Sequence, residues 1–172
     1  STLTGRKYQP KRNHINKFES KYEYEFRDLT SQYFQECLCL ECRWQLRKAV
    51  MDNPEVAKEH ECKDTAEKTA IRRAFDAYEE LGLYGGVLLV DGHVVAFTYG
   101  SAMSDETFCT HIEKADSTLD GIFPMINRSF ARALQEKGFR WVNREEDMGL
   151  AGLRRSKHSF YPVRLQEKIG VR

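Results

Sequence analysis

The sequence predicts one α/β domain in which a mixed β-sheet is flanked by helices, and three observations carry that prediction. Its 172 residues are one ordinary domain's worth of chain, long enough to bury a core without staples. Two β-rich runs, Gly85 to Val90 and His93 to Tyr99, flank Asp91-Gly92, a preferred two-residue hairpin loop. On both sides of this hairpin, apolar residues recur at helical spacing over stretches long enough to be helices that pack on a sheet.

In chain order, Tyr22 to Phe26 alternates aromatic and charged residues at period two and reads as a strand. Asp28, Leu29 and Thr30 then lead into a helix over Ser31 to Ala49, where Phe34, Leu38, Cys42 and Leu46 form a stripe at spacing four. Asp52, Asn53 and Pro54 break it, and a polar stretch runs through Lys63. A second helix from about Thr65 to Glu80 aligns Ile71, Phe75 and Tyr78 and ends at Gly82. After the hairpin, Thr107 to Glu113 is a third run of strand type. Asp120-Gly121 opens a helix whose apolar set is Ile122, Met125, Ile126, Phe130 and Leu134, closed by Gly138. Phe139 to Asn143 is expected as a short buried strand, Leu153 to Lys157 as a basic helical turn, and Val163 to Lys168 as a last strand.

Composition excludes several function classes. A formal charge of +1 gives no global field that would demand nucleic acid or a membrane, so any electrostatic function is local. No apolar run approaches the roughly 18 residues that would span a bilayer. Five cysteines without regular spacing suit free thiols in a reducing compartment, so a cytoplasmic location is expected, with a peripheral position at the inner membrane face left open. A zinc reading of Cys37, Cys39, Cys42 and Cys62 conflicts with the helical pattern, which turns positions two and five apart to different faces; no metal is expected. The start at Ser1, without an initiator Met and with a basic stretch at once, is expected for a piece of a longer polypeptide.

This order of elements is that of the GCN5-related N-acyltransferase (acyl-CoA N-acyltransferase) fold, a mixed sheet split near its centre. Acetyl-coenzyme A carriers of that fold present a Gly-rich loop whose amides hold pyrophosphate at a helix N-terminus. Here the matching loop reads Lys114-Ala115-Asp116-Ser117-Thr118-Leu119-Asp120-Gly121, with one Gly and two acids. Acetyl-coenzyme A is therefore the less favoured donor.

Three polar clusters remain. Gly5 to Lys17 holds Arg6, Lys7, Lys11 and Arg12 with Tyr8 among them and no acid, a composition that can track a phosphate backbone and stack on a base, or can be a solvated linker. In His111-Ile112-Glu113-Lys114, strand alternation puts His111 and Glu113 on one face and Lys114 on the other. A His and a carboxylate two apart can orient a proton-transfer group, and a cross-strand pair explains them equally well. Asn143-Arg144-Glu145-Glu146-Asp147 leaves a strand end where ligands of open α/β sheets usually bind, with Arg154 and Lys157 on the basic turn beyond. Its alternative is a salt-bridged surface loop in which Arg144 meets Glu146 or Asp147.

Together these clusters resemble a family of bacterial proteins related to the C-terminal domain of phosphatidylglycerol lysyltransferase. The likeness is carried by Gly5-Arg6-Lys7-Tyr8, Lys11 to Asn16, Gly86-Val87-Leu88, His111 to Asp116, Asn143 to Asp147, and Gly152-Leu153-Arg154 with Lys157 and Pro162. It implies two acyltransferase-type repeats in tandem, so that residues 1–21 would be a basic inter-repeat linker or helix and 22–172 the second repeat, a single acyltransferase-like domain. It also implies transfer of an aminoacyl group from aminoacyl-tRNA to an amine or lipid hydroxyl, as in Fem-type peptidoglycan enzymes and lysyl-phosphatidylglycerol synthases. The partners would then be aminoacyl-tRNA, an anionic lipid or peptide acceptor, and the first repeat. The lipid-modifying relatives carry an Asp and a basic residue three further on where this chain has His111 and Lys114.

The mechanism expected from residues and resemblance together has His111, oriented by Glu113, accepting the proton of the attacking group. Lys114 and Lys157 stabilise the oxyanion or phosphates. Arg6, Lys7, Tyr8, Lys11, Arg12, Asn143, Arg144 and Arg154 hold substrate or RNA, with no cofactor. Two other readings stand beside it: a coenzyme A-dependent N-acyltransferase of a small molecule, and a non-catalytic binding module.

Overall fold

A computed structural model describes residues 3–52 and 65–167. Helix α1 (Gln9–Lys21) leads into strand β1 (Tyr24–Asp28), helices α2 (Ser31–Asp52) and α3 (Ala66–Asp76), and strands β2 (Tyr84–Val90), β3 (His93–Ala102) and β4 (Thr107–Ala115). Helix α4 (Ile122–Glu136), strand β5 (Trp141–Asn143) and helix α5 (Ala151–His158) complete it. The five strands form one sheet in chain order. The first four are antiparallel, and α4 is the crossover that sets β5 parallel to β4.

The sheet is covered on both faces, which is why its central strands read as continuous apolar runs. On one face Val87 and Leu89 of β2 join Cys37 and Leu40 of α2 and Ile71 and Phe75 of α3. Leu88 and Val90 point the other way, to Ile15 and Phe18 of α1 and Ile122, Met125 and Ile126 of α4. The basic N-terminal stretch thus contains a helix with two core side chains. The β2–β3 hairpin turns on Asp91 (φ 51°) and Gly92 (φ 78°), both left-handed as the favoured two-residue loop requires. All five apolar residues expected on α4 are buried.

Several boundaries differ from expectation. β1 begins at Tyr24 rather than Tyr22, because the Tyr22 amide still donates to the Phe18 carbonyl (3.0 Å) and closes α1. β5 is shorter than expected and not buried: Trp141 and Val142 are exposed, since β5 is the sheet's edge. Residues 163–167 are not a strand. Val163 and Leu165 are largely exposed, and Lys168 lies outside the described residues. Cys37, Cys39 and Cys109 are free, but Cys42 is disulfide-bonded, which corrects the expectation of free thiols throughout; Cys62 lies outside the described residues.

Candidate active site

The split in the sheet sets the site. β4 and β5 pair over only three positions, Thr107–Cys109 with Trp141–Asn143, after which β4 continues to Ala115 without β5 beside it. At this divergence β4 also carries a bulge. Gly100 of β3 faces Thr110 and Tyr99 faces Ile112, so His111 has no partner across the ladder. An extra residue of this kind bends the strand and re-aims its side chain. Gly100 makes the crossing possible, because a Cβ there would sit 1.8 Å from the Cys109 carbonyl oxygen.

The re-aimed imidazole is held at both nitrogens. His111 Nδ1 lies 2.7 Å from Glu145 Oε1, and Nε2 lies 2.9 Å from Ser101 Oγ. A carboxylate only accepts, so Nδ1 carries the proton, and in the neutral imidazole Nε2 then presents its lone pair to the serine hydroxyl. Glu145, not Glu113, therefore orients His111. It comes from the loop after β5, 34 residues away, and has a left-handed backbone (φ 54°), an uncommon conformation for a residue with a Cβ. Asn143 Oδ1 accepts from the Glu145 amide (2.7 Å) and supports that turn. Lys157 Nζ donates to the carbonyls of Arg144 and Glu146, clamping the peptide on either side of Glu145. Burial, and then Arg144, lower the Lys157 pKa.

Glu113 faces α4 instead. It accepts from Arg144 Nη2 (3.0 Å) and from Asn127 Nδ2 (3.2 Å). Arg144 thus has its ion pair across to β4 rather than only within its own loop. Its guanidinium also lies 4.8 Å from the centre of the Phe160 ring, which Lys11 approaches to 3.8 Å. Burial, and then Arg144, lower the Lys11 pKa, while Glu113 opposes the shift. Tyr8 donates to the Phe160 carbonyl (3.2 Å) and meets Tyr161 edge-on, with Lys7 near both rings. The structure thus brings Lys7, Tyr8, Lys11, Glu113 and Arg144 to one seam. Arg12 is turned back onto the Leu3 and Gly5 carbonyls and Gln9, and Arg6 is exposed. Arg154 pairs with Asp147, whose carboxyl this bond and the Gly149 amide hold down at about 2.

Lys114 is elsewhere. It lies on the α2–α3 side, only 6% exposed, with Glu67 at 2.8 Å, the wholly buried Glu41 at 3.1 Å and the Trp44 ring at 3.8 Å. The expected pairing of Lys114 with Lys157 on one oxyanion is corrected: β-strand alternation sends Lys114 into the core. Sequence reading also missed Ser101 and the role of Glu145. Glu145 stood inside a polar cluster without a signal for its orientation, and Ser101 had only its place beside Gly100 near a strand end.

One set among the described residues could hold a metal. Cys109 Sγ, a His111 ring nitrogen and a Glu145 oxygen lie within 4.8 Å of one another. Burial and then Glu145 push the Cys109 thiol up to about 11. At the start of α4, Gly121 is pressed against α1: a Cβ there would meet the His14 carbonyl oxygen at 2.2 Å. Asp120 pairs with Lys17 and Lys21, and Asp116 with Arg47 and Thr118.

The family model described as phosphatidylglycerol lysyltransferase, C-terminal, matches residues 2–171. The chain belongs to that family. A conserved protein of unknown function from Bacteroides thetaiotaomicron VPI-5482 is 42% identical over 95% of this chain, with a TM-score of 0.80. The match covers 53% of that protein, so this chain spans about half its length. Ribosomal-protein-alanine N-acetyltransferase from Brucella melitensis biovar Abortus 2308 is 11% identical, with a TM-score of 0.57 over 87% of this chain and 99% of its own. An aminoglycoside acetyltransferase from an uncultured soil metagenomic sample, in complex with sisomicin, is 14% identical, with a TM-score of 0.54 over 87% and 94%. These two likenesses establish the GCN5-related acyltransferase fold. No curated protein matches. The domain of this lysyltransferase C-terminal family is acyltransferase-like, and no described helix is long and apolar enough to cross a membrane.

Proposed function

We propose that this domain transfers an aminoacyl group from aminoacyl-tRNA to an amine or lipid hydroxyl, at the divergence of β4 and β5. The observation that supports a donor other than coenzyme A is the start of α4. A helix N-terminus takes pyrophosphate through open amides and a favourable dipole. Here the α1 backbone covers that end and two carboxylates flank it. His111 Nε2 is the base, its tautomer fixed by Glu145. Lys157 positions Glu145 rather than meeting the oxyanion. Exposed Arg6 and Lys7 extend the seam as salt-sensitive contacts to RNA. The acceptor lipid or peptide would be met by a peripheral cytoplasmic protein, and a first repeat would adjoin this domain.

Filter retention of charged and uncharged tRNA, at low and moderate salt with acetyl-coenzyme A as competitor, tests this reading. Preference for charged tRNA with a steep salt dependence is expected. No retention, or displacement by coenzyme A, would replace it with a coenzyme A-dependent acyltransferase.

A further inference from the structure

We infer that Ser101 is a nucleophile, activated by His111 and Glu145, that carries the acyl group as a covalent ester between donor and acceptor. The inference rests on the acyl-transfer reading of the site and deepens it. Three separate elements supply the three groups: β3 brings Ser101, the bulge of β4 brings His111, and the strained loop after β5 brings Glu145. Both links have hydrogen-bond length, 2.9 Å from Ser101 Oγ to Nε2 and 2.7 Å from Nδ1 to Glu145 Oε1. Nucleophile, base and orienting carboxylate within hydrogen-bond reach define an activated serine by geometry, whatever the fold or the order in sequence. His111 and Glu145 are 35% and 46% exposed at the side chain, so an ester can reach them.

The serine hydroxyl occupies the lone pair of the proposed base. An acceptor that used His111 directly would first have to displace it, whereas attack by Ser101 uses the contact already made. In the first half, the Ser101 hydroxyl proton passes to Nε2 as Oγ bonds to the donor's carbonyl carbon. The bond from that carbon to the donor's alcohol oxygen then breaks, and Nε2 returns the proton to the departing oxygen. In the second half, the acceptor amine or hydroxyl gives its proton to Nε2 and attacks the ester. Ser101 Oγ leaves and takes the proton back. No oxidant, metal or further reactant is needed.

An activated ester tests this without RNA, so its failure is distinct from failure of the tRNA reading. The protein is incubated with p-nitrophenyl acetate at neutral pH, and modified peptides are read by mass spectrometry. The expected result is one acetyl group on Ser101 in preference to the exposed Ser156, a comparison within the native protein that needs no variant. In His111→Ala the adduct should be lost, and in Glu145→Gln its formation should slow by up to roughly 10⁴-fold, as loss of a tautomer-fixing carboxylate does, with an unchanged melting temperature. An unmodified Ser101, or a Ser101 adduct that forms as fast in His111→Ala, overturns the inference.

Discussion

Replacing Lys114 with Met should unfold this domain more readily rather than disable a catalytic group. The ammonium sits among Glu41, wholly buried, Glu67 and the face of Trp44. The replacement takes away the ammonium 3.1 Å from the buried Glu41 carboxylate, to which Gln45 Nε2 also donates (2.9 Å). Breaking a buried pair from one side costs about 3–5 kcal/mol because a charge is stranded. For a domain of this size that corresponds to a fall in melting temperature of roughly 6–20 °C, at about 2–4 °C per kcal/mol. Removing both charges leaves nothing stranded, and such double replacements are often neutral. Urea unfolding followed by circular dichroism on Lys114→Met, Glu41→Leu and the double variant gives the coupling directly. Losses in both singles with recovery in the double are expected. A Lys114→Met protein as stable as the parent, or a double variant as unstable as the singles combined, would refute the assignment of Lys114 to the core.

The bulge makes a second claim on stability. Gly100→Ala drives a Cβ into the Cys109 carbonyl and should cost at least the roughly 1–3 kcal/mol of an overpacked core; Gly152→Ala meets nothing within 4 Å on α5 and should gain about 0.5–1 kcal/mol from helix propensity. Thermal melts of the two variants should move in opposite directions. Asp147 supplies a pH signature. Its folded pKa, about 2, lies below the ordinary 3.8, so its contribution is present above about pH 4 and is lost as pH falls towards 2. The difference in unfolding midpoint between the parent and Asp147→Asn should be constant near neutrality, shrink as pH falls from about 4 through about 2, and vanish below that; a difference that persisted there would contradict the pairing with Arg154.

Local signals in the sequence were read well wherever one residue type decides the backbone. Asp91-Gly92 placed the hairpin, and the spacing from Ile122 to Leu134 placed the buried face of α4. The acyltransferase fold followed from element order, and the structural relatives bear it out. Alternation also separated Lys114 from His111 correctly. Lys114, expected to stabilise an oxyanion or phosphates, lies buried beside Glu41, Glu67 and Trp44. Long-range partners were beyond reach. A period-two pattern assumes an unbroken strand, and the bulge at His111 breaks it, so the imidazole meets Glu145 from another strand's end rather than Glu113 two residues on. The last strand failed for a related reason: Val163 and Leu165 alternate as a strand would, but residues 163–167 pair with no strand here.

The seam between Tyr8 and Phe160 joins positions 152 residues apart. Closing so long a loop is entropically costly, and these contacts can form only once the intervening sheet is in place. Resting on a hydrogen bond and partly exposed rings, the seam also belongs to the part of the molecule that opens first under native conditions. Arg144 lies over the same Phe160 and pairs with Glu113 of β4, so parting of the Tyr8 and Phe160 segments would loosen the side chains beside the divergence of β4 and β5 as well. Amide exchange near Tyr8 and near Phe160 should therefore share a single opening rate, one that a ligand seated where β4 and β5 diverge would slow at both positions together.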